Sequence, residues 1–101
     1  MTGREPEMQQ MDLNIEHLPA SHRFQAIVDG RACVIDYHLS NGVLTILHTG
    51  VPPALEGRGI AGELTRAVLD HVRTHGLKVE PACSYARSYI DRHPENRDLL
   101  A

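Results

Sequence analysis

A chain of 101 residues makes one domain and buries roughly two thirds of its unfolded surface. Hydrophobic residues are 42% and aromatics 4%, so the core must be aliphatic, and 10 Lys plus Arg against 13 Asp plus Glu leave a charge of −3. That balance argues against nonspecific nucleic-acid binding, which needs a positive surface, and no apolar run nears the ~18 residues of a membrane span.

Residues 1–11 are polar, Gln- and Glu-rich and aperiodic, without the apolar stretch of a secretory leader. They are expected to be a flexible tail before a domain over residues 12–101. Residues 13–18 suit a short extended piece, ended by Pro19. The first firm strand is Arg23–Val28, and Asp29-Gly30 after it is a hairpin signal. The second strand spans 32–39, with Cys33, Ile35, Tyr37 and Leu39 forming one apolar face at period two. Asn41-Gly42 marks a second hairpin. The third strand, 43–49, sets Leu44, Ile46 and His48 on one face against Val43 and Leu47. Gly50-Val51-Pro52-Pro53 ends it, because proline cannot continue a ladder.

A glycine-rich loop at 56–62 then opens a helix running to about His75. Its apolar stripe is Ile60, Leu64, Ala67, Val68 and Val72, with Glu63, Arg66, Asp70 and Arg73 facing water. Gly76 caps it. Residues 77–80 form a short strand stopped by Pro81, and a second helix spans 83–92, with Pro94 beyond. A right-handed crossover lays the fourth strand parallel to the third. The fold class is α+β: an antiparallel β-meander, a Gly-rich loop into a central helix, then a parallel strand and a C-terminal helix.

Cys33 and Cys83 form no CxxC pair and no disulfide framework, which suits free thiols in a reducing cytoplasm. Seven histidines make the charge pH-sensitive, since their full protonation would bring it to +4. His71 and His75 have a helical i, i+4 spacing that can hold zinc, but no third ligand accompanies them, so no metal is expected.

The loop carries the chemistry. Gly57, Gly59 and Gly62 sit between a strand and a helix N-terminus, where free N–H groups and the helix dipole favour a phosphate. Arg58 adds a charge; the plainer alternative is a connection that needs positive φ. The loop is not a Walker motif, for no Gly-Lys-Ser/Thr follows. Nor is it a dinucleotide fingerprint, since a meander precedes it rather than a βαβ unit.

With its flanks, the stretch from Val51 through Pro53, Glu56, Gly57, Arg58, Gly59, Ile60 and Ala61 resembles the V-x-P-x-x-(R/Q)-G-x-G-(I/L)-(G/A) signature of the GCN5-related N-acetyltransferases. Glu56 stands where that signature has Arg or Gln. His48 to Pro52, Pro81 to Ala86, Tyr89-Ile90 and Arg92 to Glu95 are similar to one small branch of that superfamily, named for a Cys and the Gly-rich loop.

The resemblance implies acetyl-CoA as cofactor, with its pyrophosphate cradled by Gly57, Arg58, Gly59, Ile60, Ala61 and Gly62. It implies that the third strand, just before Val51, pairs with the pantetheine arm, with an amide near Gly50 or Val51 polarising the thioester carbonyl. His48 and Cys83 match the branch's active-site residues. His48 would be the general base, and a histidine near pKa 6.5 is suited to that task; the alternative is a buried, satisfied histidine. Cys83 would be a nucleophile, an acid for the leaving thiolate, or a small core residue. Tyr85 and Tyr89 are candidates for coenzyme contact or for packing. Arg92, His93 and Arg97 would meet the coenzyme phosphates or form a solvated helix end. Cys33 is a core residue.

The implied function is acetyl transfer to a primary amine by direct attack. Larger family members place helices between their first two strands. Here Asp29-Gly30 joins the strands directly, so the acceptor side is expected to be open, suiting a protein lysine, a terminal amine or a polyamine. No nucleic acid or membrane is expected as partner. Two rivals are a CoA-binding module with little or no catalysis and a small interaction protein whose loop and histidines are structural.

Overall fold

The computed structural model describes residues 13–101, so the expected flexible tail lies outside the described residues. Five strands form one sheet in sequence order. β1 (Glu16–Leu18), β2 (Arg23–Val28), β3 (Arg31–Ser40) and β4 (Val43–Gly50) pair antiparallel, and β5 (Lys78–Pro81) lies parallel to β4. At both predicted hairpins the two turn residues have positive φ: Asp29 and Gly30, then Asn41 and Gly42. That geometry matches the twist of the flanking strands.

Helix α1 (Ile60–Thr74) and helix α2 (Ser84–Arg92) join the strands in one core. Ile60, Leu64, Val68 and Val72 of α1 meet Ile35, Leu44, Ile46 and Val79 of the sheet. Leu69 and Thr65 widen the buried stripe, and the Thr65 hydroxyl is satisfied by donating to the Ala61 carbonyl at 2.8 Å. Both helices lie on the same side of the sheet. The other side presents Gln25, Ile27, Asp36, Thr45 and Glu80, with no described helix over it.

Several elements depart from the sequence expectation. The piece at 13–18 contains a true strand, so the meander has four strands rather than three. The chain after Pro94 forms a 3-10 helix, Pro94–Leu99, which buries Leu99. Arg73 clamps it by donating to both oxygens of Asp98 at 2.9 and 3.1 Å. Leu39 belongs to the predicted apolar face of β3 but is 45% exposed, because it stands next to the hairpin turn at the strand's end. Most consequential is the register of β4. Tyr37 pairs with Ile46, whereas Asp36 pairs with His48, so Leu47 is an extra residue without a partner. This β-bulge reverses the alternation beyond it.

β1 is tied down by aromatic and imidazole rings. His17 stacks on Phe24 with centroids 4.1 Å apart, and its Nε2 lies 2.6 Å from the Tyr37 hydroxyl. The His71 ring meets His17 edge-on at 4.6 Å and stacks on His75 at 4.1 Å. Burial, then the neighbouring His75, holds the His17 imidazole below its ordinary pKa; burial, then His75 and His17, does the same for His71. The unfolded chain therefore binds more protons than the folded one once pH drops below about 6.5, and stability falls as pH is lowered through that window. Lowering the pH from about 7.5 to about 5 is expected to reduce Tm, and His71→Gln to make that dependence shallower. Thermal melts across that range check it; identical slopes for the two proteins would refute the assignment.

Candidate functional site

The site is built around the far half of β4. β5 pairs with β4 only through Val43, Leu44, Thr45 and Ile46. Beyond that point the Ala82 and Cys83 amides both donate to the Ile46 carbonyl, at 3.0 and 3.1 Å, and the chain turns off into α2. Residues 48–50 are thus paired with β3 on one edge, and their other edge faces no strand among the described residues. A cavity of about 480 Å³ opens there, lined by Thr49, Val51, Leu55, Glu56, Gly57, Gly59, Ile60, Ala61 and Tyr85.

One end of that cavity is the N-terminus of α1. Gly59, the N-cap, supplies no side-chain bond, and the first helical bond runs from the Glu63 amide to the Gly59 carbonyl at 3.1 Å. The amides of Ile60, Ala61 and Gly62 are left for a ligand. Gly57 and Gly59 both have φ of 83°, with nothing within 4 Å of where a Cβ would stand. The backbone conformation, rather than crowding, demands glycine at these positions.

Cys83 does not line the cavity but stands behind Thr49, which does. The cysteine is the N-cap of α2: its sulfur accepts from the Ala86 amide at 3.4 Å and lies 3.4 Å from the Thr49 hydroxyl. Thr49 pairs with buried Ile35 and so points to the helical side.

His48 lies on the opposite side. The expectation that it shares a face with Leu44 and Ile46 is corrected by the bulge at Leu47, which turns His48 outward beside Asp36. It is exposed, not a buried, satisfied histidine. Its ring lies along β4 over Gly50, where an added Cβ would stand 2.9 Å from Nε2. His48 and Cys83 therefore flank the open strand edge from its two faces and do not touch.

Of the predicted coenzyme residues, Val51, Gly57, Gly59, Ile60 and Ala61 line the cavity. Gly62 faces a neighbouring groove bordered by Arg66, Tyr89, Arg92 and His93. Its missing Cβ leaves room for the Tyr85 hydroxyl, which would lie 3.4 Å away. Tyr89 is buried and stacked on His93 at 4.0 Å, outside the cavity, and burial raises its phenol pKa. Arg58 also lies outside it, turned onto the β2–β3 hairpin, where it donates to Asp29 at 3.0 Å. Arg97 is exposed and borders neither the cavity nor the groove.

Sequence reasoning missed Thr49 and Leu55. Thr49 carried no signal, because period-two counting through Leu47 placed it on the wrong face. Among the described residues, no group of three His, Cys, Asp or Glu side chains is arranged to hold a metal ion. No helix of the described residues is long and apolar enough to cross a membrane.

Comparison with known proteins agrees with this architecture. Residues 23–99 match the model of a family described as GCN5-related N-acetyl-transferase. Protein NATD1 of Mus musculus is 32% identical over 85 residues, covering 81% of this chain and 77% of its own. Protein NATD1 of Homo sapiens is likewise 32% identical over 85 residues, covering 81% of this chain and 75% of its own. The solution structure of a GCN5-like protein from Staphylococcus aureus superposes with a TM-score of 0.72 at 27% identity, covering 91% of each chain. The chain belongs to the GCN5-related N-acetyltransferase family.

Gly50→Ala offers a way to disturb His48 without replacing it. The added methyl would push an exposed ring, not the backbone, so the fold should hold. The expected result is shifted His48 imidazole resonances at nearly unchanged Tm; unshifted resonances would show that the ring is not held over Gly50.

Proposed function

We propose that this member of the family transfers an acetyl group from acetyl-CoA to a primary amine, with His48 as base. One observation carries the reading: the unpaired edge of β4 and the N-terminus of α1 meet in a single cavity. The residues present fit the coenzyme. Free amides of Ile60, Ala61 and Gly62 suit a pyrophosphate, and an open strand edge suits the amides of a pantetheine arm. Glu56 opposes at the rim, and its charge is offset by the helix dipole. When bound, acetyl-CoA supplies an activated acyl carbon on a good leaving group.

The residues divide the work by face. His48, on the open side, takes a proton from the acceptor ammonium, freeing the nitrogen lone pair for attack. An amide of Gly50 or Val51 polarises the carbonyl. On the helical side Cys83, with Thr49 beside it, would give its thiol proton to the departing sulfur, and the proton shed by the new amide nitrogen would restore it by way of solvent. No described helix covers the acceptor face, which suits a protein lysine, a terminal amine or a polyamine. A second reading, coenzyme binding with little turnover, is favoured by one feature: no described side chain hydrogen-bonds His48 to orient it.

Two experiments separate these roles. His48→Gln is expected to lower kcat by about 100-fold, the scale of a lost general base, with little change in the acetyl-CoA Kd. Saturable binding with no turnover by the wild type on any amine would establish the second reading. Cys83→Ala removes an N-cap and should cost about 1 kcal/mol of stability, whereas Cys83→Ser keeps an acceptor there. If Cys83→Ser is stable but slow, the sulfur acts in the chemistry; if it is stable and fast, Cys83 is only a cap.

A further inference from the structure

The loop arginine is not where a phosphate-binding charge should be. Arg58 sits between two glycines in the left-handed region, Gly57 and Gly59, and its side chain turns away from the cavity. Its Nη1 donates to Asp29 Oδ2 at 3.0 Å. The Asp29 backbone is set by the Asp29-Gly30 turn, at φ of 52°. The pair is open to solvent, with the two side chains 46% and 64% exposed.

An exposed ion pair of this kind is weak and easily exchanged. A pyrophosphate at the amides of α1 offers Arg58 more charge, and bidentate geometry, at a site adjoining its own backbone. The two flanking glycines place no side chain in the way of a swing.

We propose that Asp29 is an affinity-setting residue: it parks Arg58 on the β2–β3 hairpin and competes with the coenzyme's phosphates for it. Binding then exchanges one partner for another, and part of the attraction between Arg58 and the ligand is spent on releasing Asp29. The proposal rests on the coenzyme reading above. It assigns to a hairpin turn, on a different element from the loop, control over how tightly a phosphate-bearing ligand is held.

The test is a double-mutant cycle read by calorimetric titration with acetyl-CoA. Asp29→Asn keeps the turn, since asparagine tolerates the same conformation. It should tighten the Kd by about threefold, within the range an exposed pair spans. In an Arg58→Gln background the same change should have no effect. An unchanged Kd in Asp29→Asn, or equal tightening with and without Arg58, would overturn the proposal while leaving the coenzyme reading intact. Failure of the wild-type chain to bind acetyl-CoA would overturn both.

Discussion

The single extra residue at Leu47 governs the site. Without the bulge, His48 would continue the face of Leu44 and Ile46 and be buried under α1. Thr49 would point outward, away from Cys83. With it, the strand presents an imidazole to one side and a hydroxyl to the other at consecutive positions. The same region is where β5 leaves β4, so the twisted, bulged segment also has a free edge. A ligand lying along that edge would have an imidazole on one face and a thiol on the other. The proposed chemistry uses both, one to take a proton from the nucleophile and the other to give one to the leaving group.

The described helices form one layer, on the inner side of the sheet. The inner face of the sheet is sealed by α1, α2 and the 3-10 helix Pro94–Leu99. No described helix covers the outer face, where Ile27 is 57% and Leu47 52% exposed. The consequence for function is direct, because His48 belongs to that face. On the proposed reading an acceptor would reach His48 without entering a pocket, whereas the coenzyme would lie in a lined cavity on the other side. The asymmetry suits a small, shared donor and a bulky or variable acceptor.

Much of this was legible in the sequence, for identifiable reasons. Asp29-Gly30 and Asn41-Gly42 fix two hairpins by their dihedral demands alone, and the apolar stripe of α1 reads cleanly because a 15-residue helix repeats its pattern four times. The Gly57 and Gly59 loop was readable for the same reason as the hairpins. The bulge was not readable, because Leu-His-Thr at 47–49 suits either phase of a strand. Only pairing with Asp36 and Tyr37 decides between them. β1 is three residues long and owes its place to rings contributed from Phe24, Tyr37 and His71, the last two distant in sequence. Arg58 read as a phosphate ligand because a loop sequence says nothing about which hairpin lies beside it.

Charge imposes a last constraint. A chain of net −3 has to receive a polyanion if it binds acetyl-CoA, so the local field must differ from the global one. Three of its arginines are engaged: Arg23 by Asp36, Arg73 by Asp98 and Arg58 by Asp29. The first two bonds fasten elements together, strand to strand and helix to C-terminal turn. The third holds only an exposed loop to an exposed turn, so it does little for the fold. An ion pair with little structural purpose, placed where a binding loop begins, is better understood as a reserve of positive charge kept neutral until a stronger anion arrives. The unpaired amides of α1 then provide the permanent part of the field and Arg58 the exchangeable part. On the coenzyme reading, the two together would let a protein of net negative charge hold a phosphate without a standing basic patch that would attract nucleic acid.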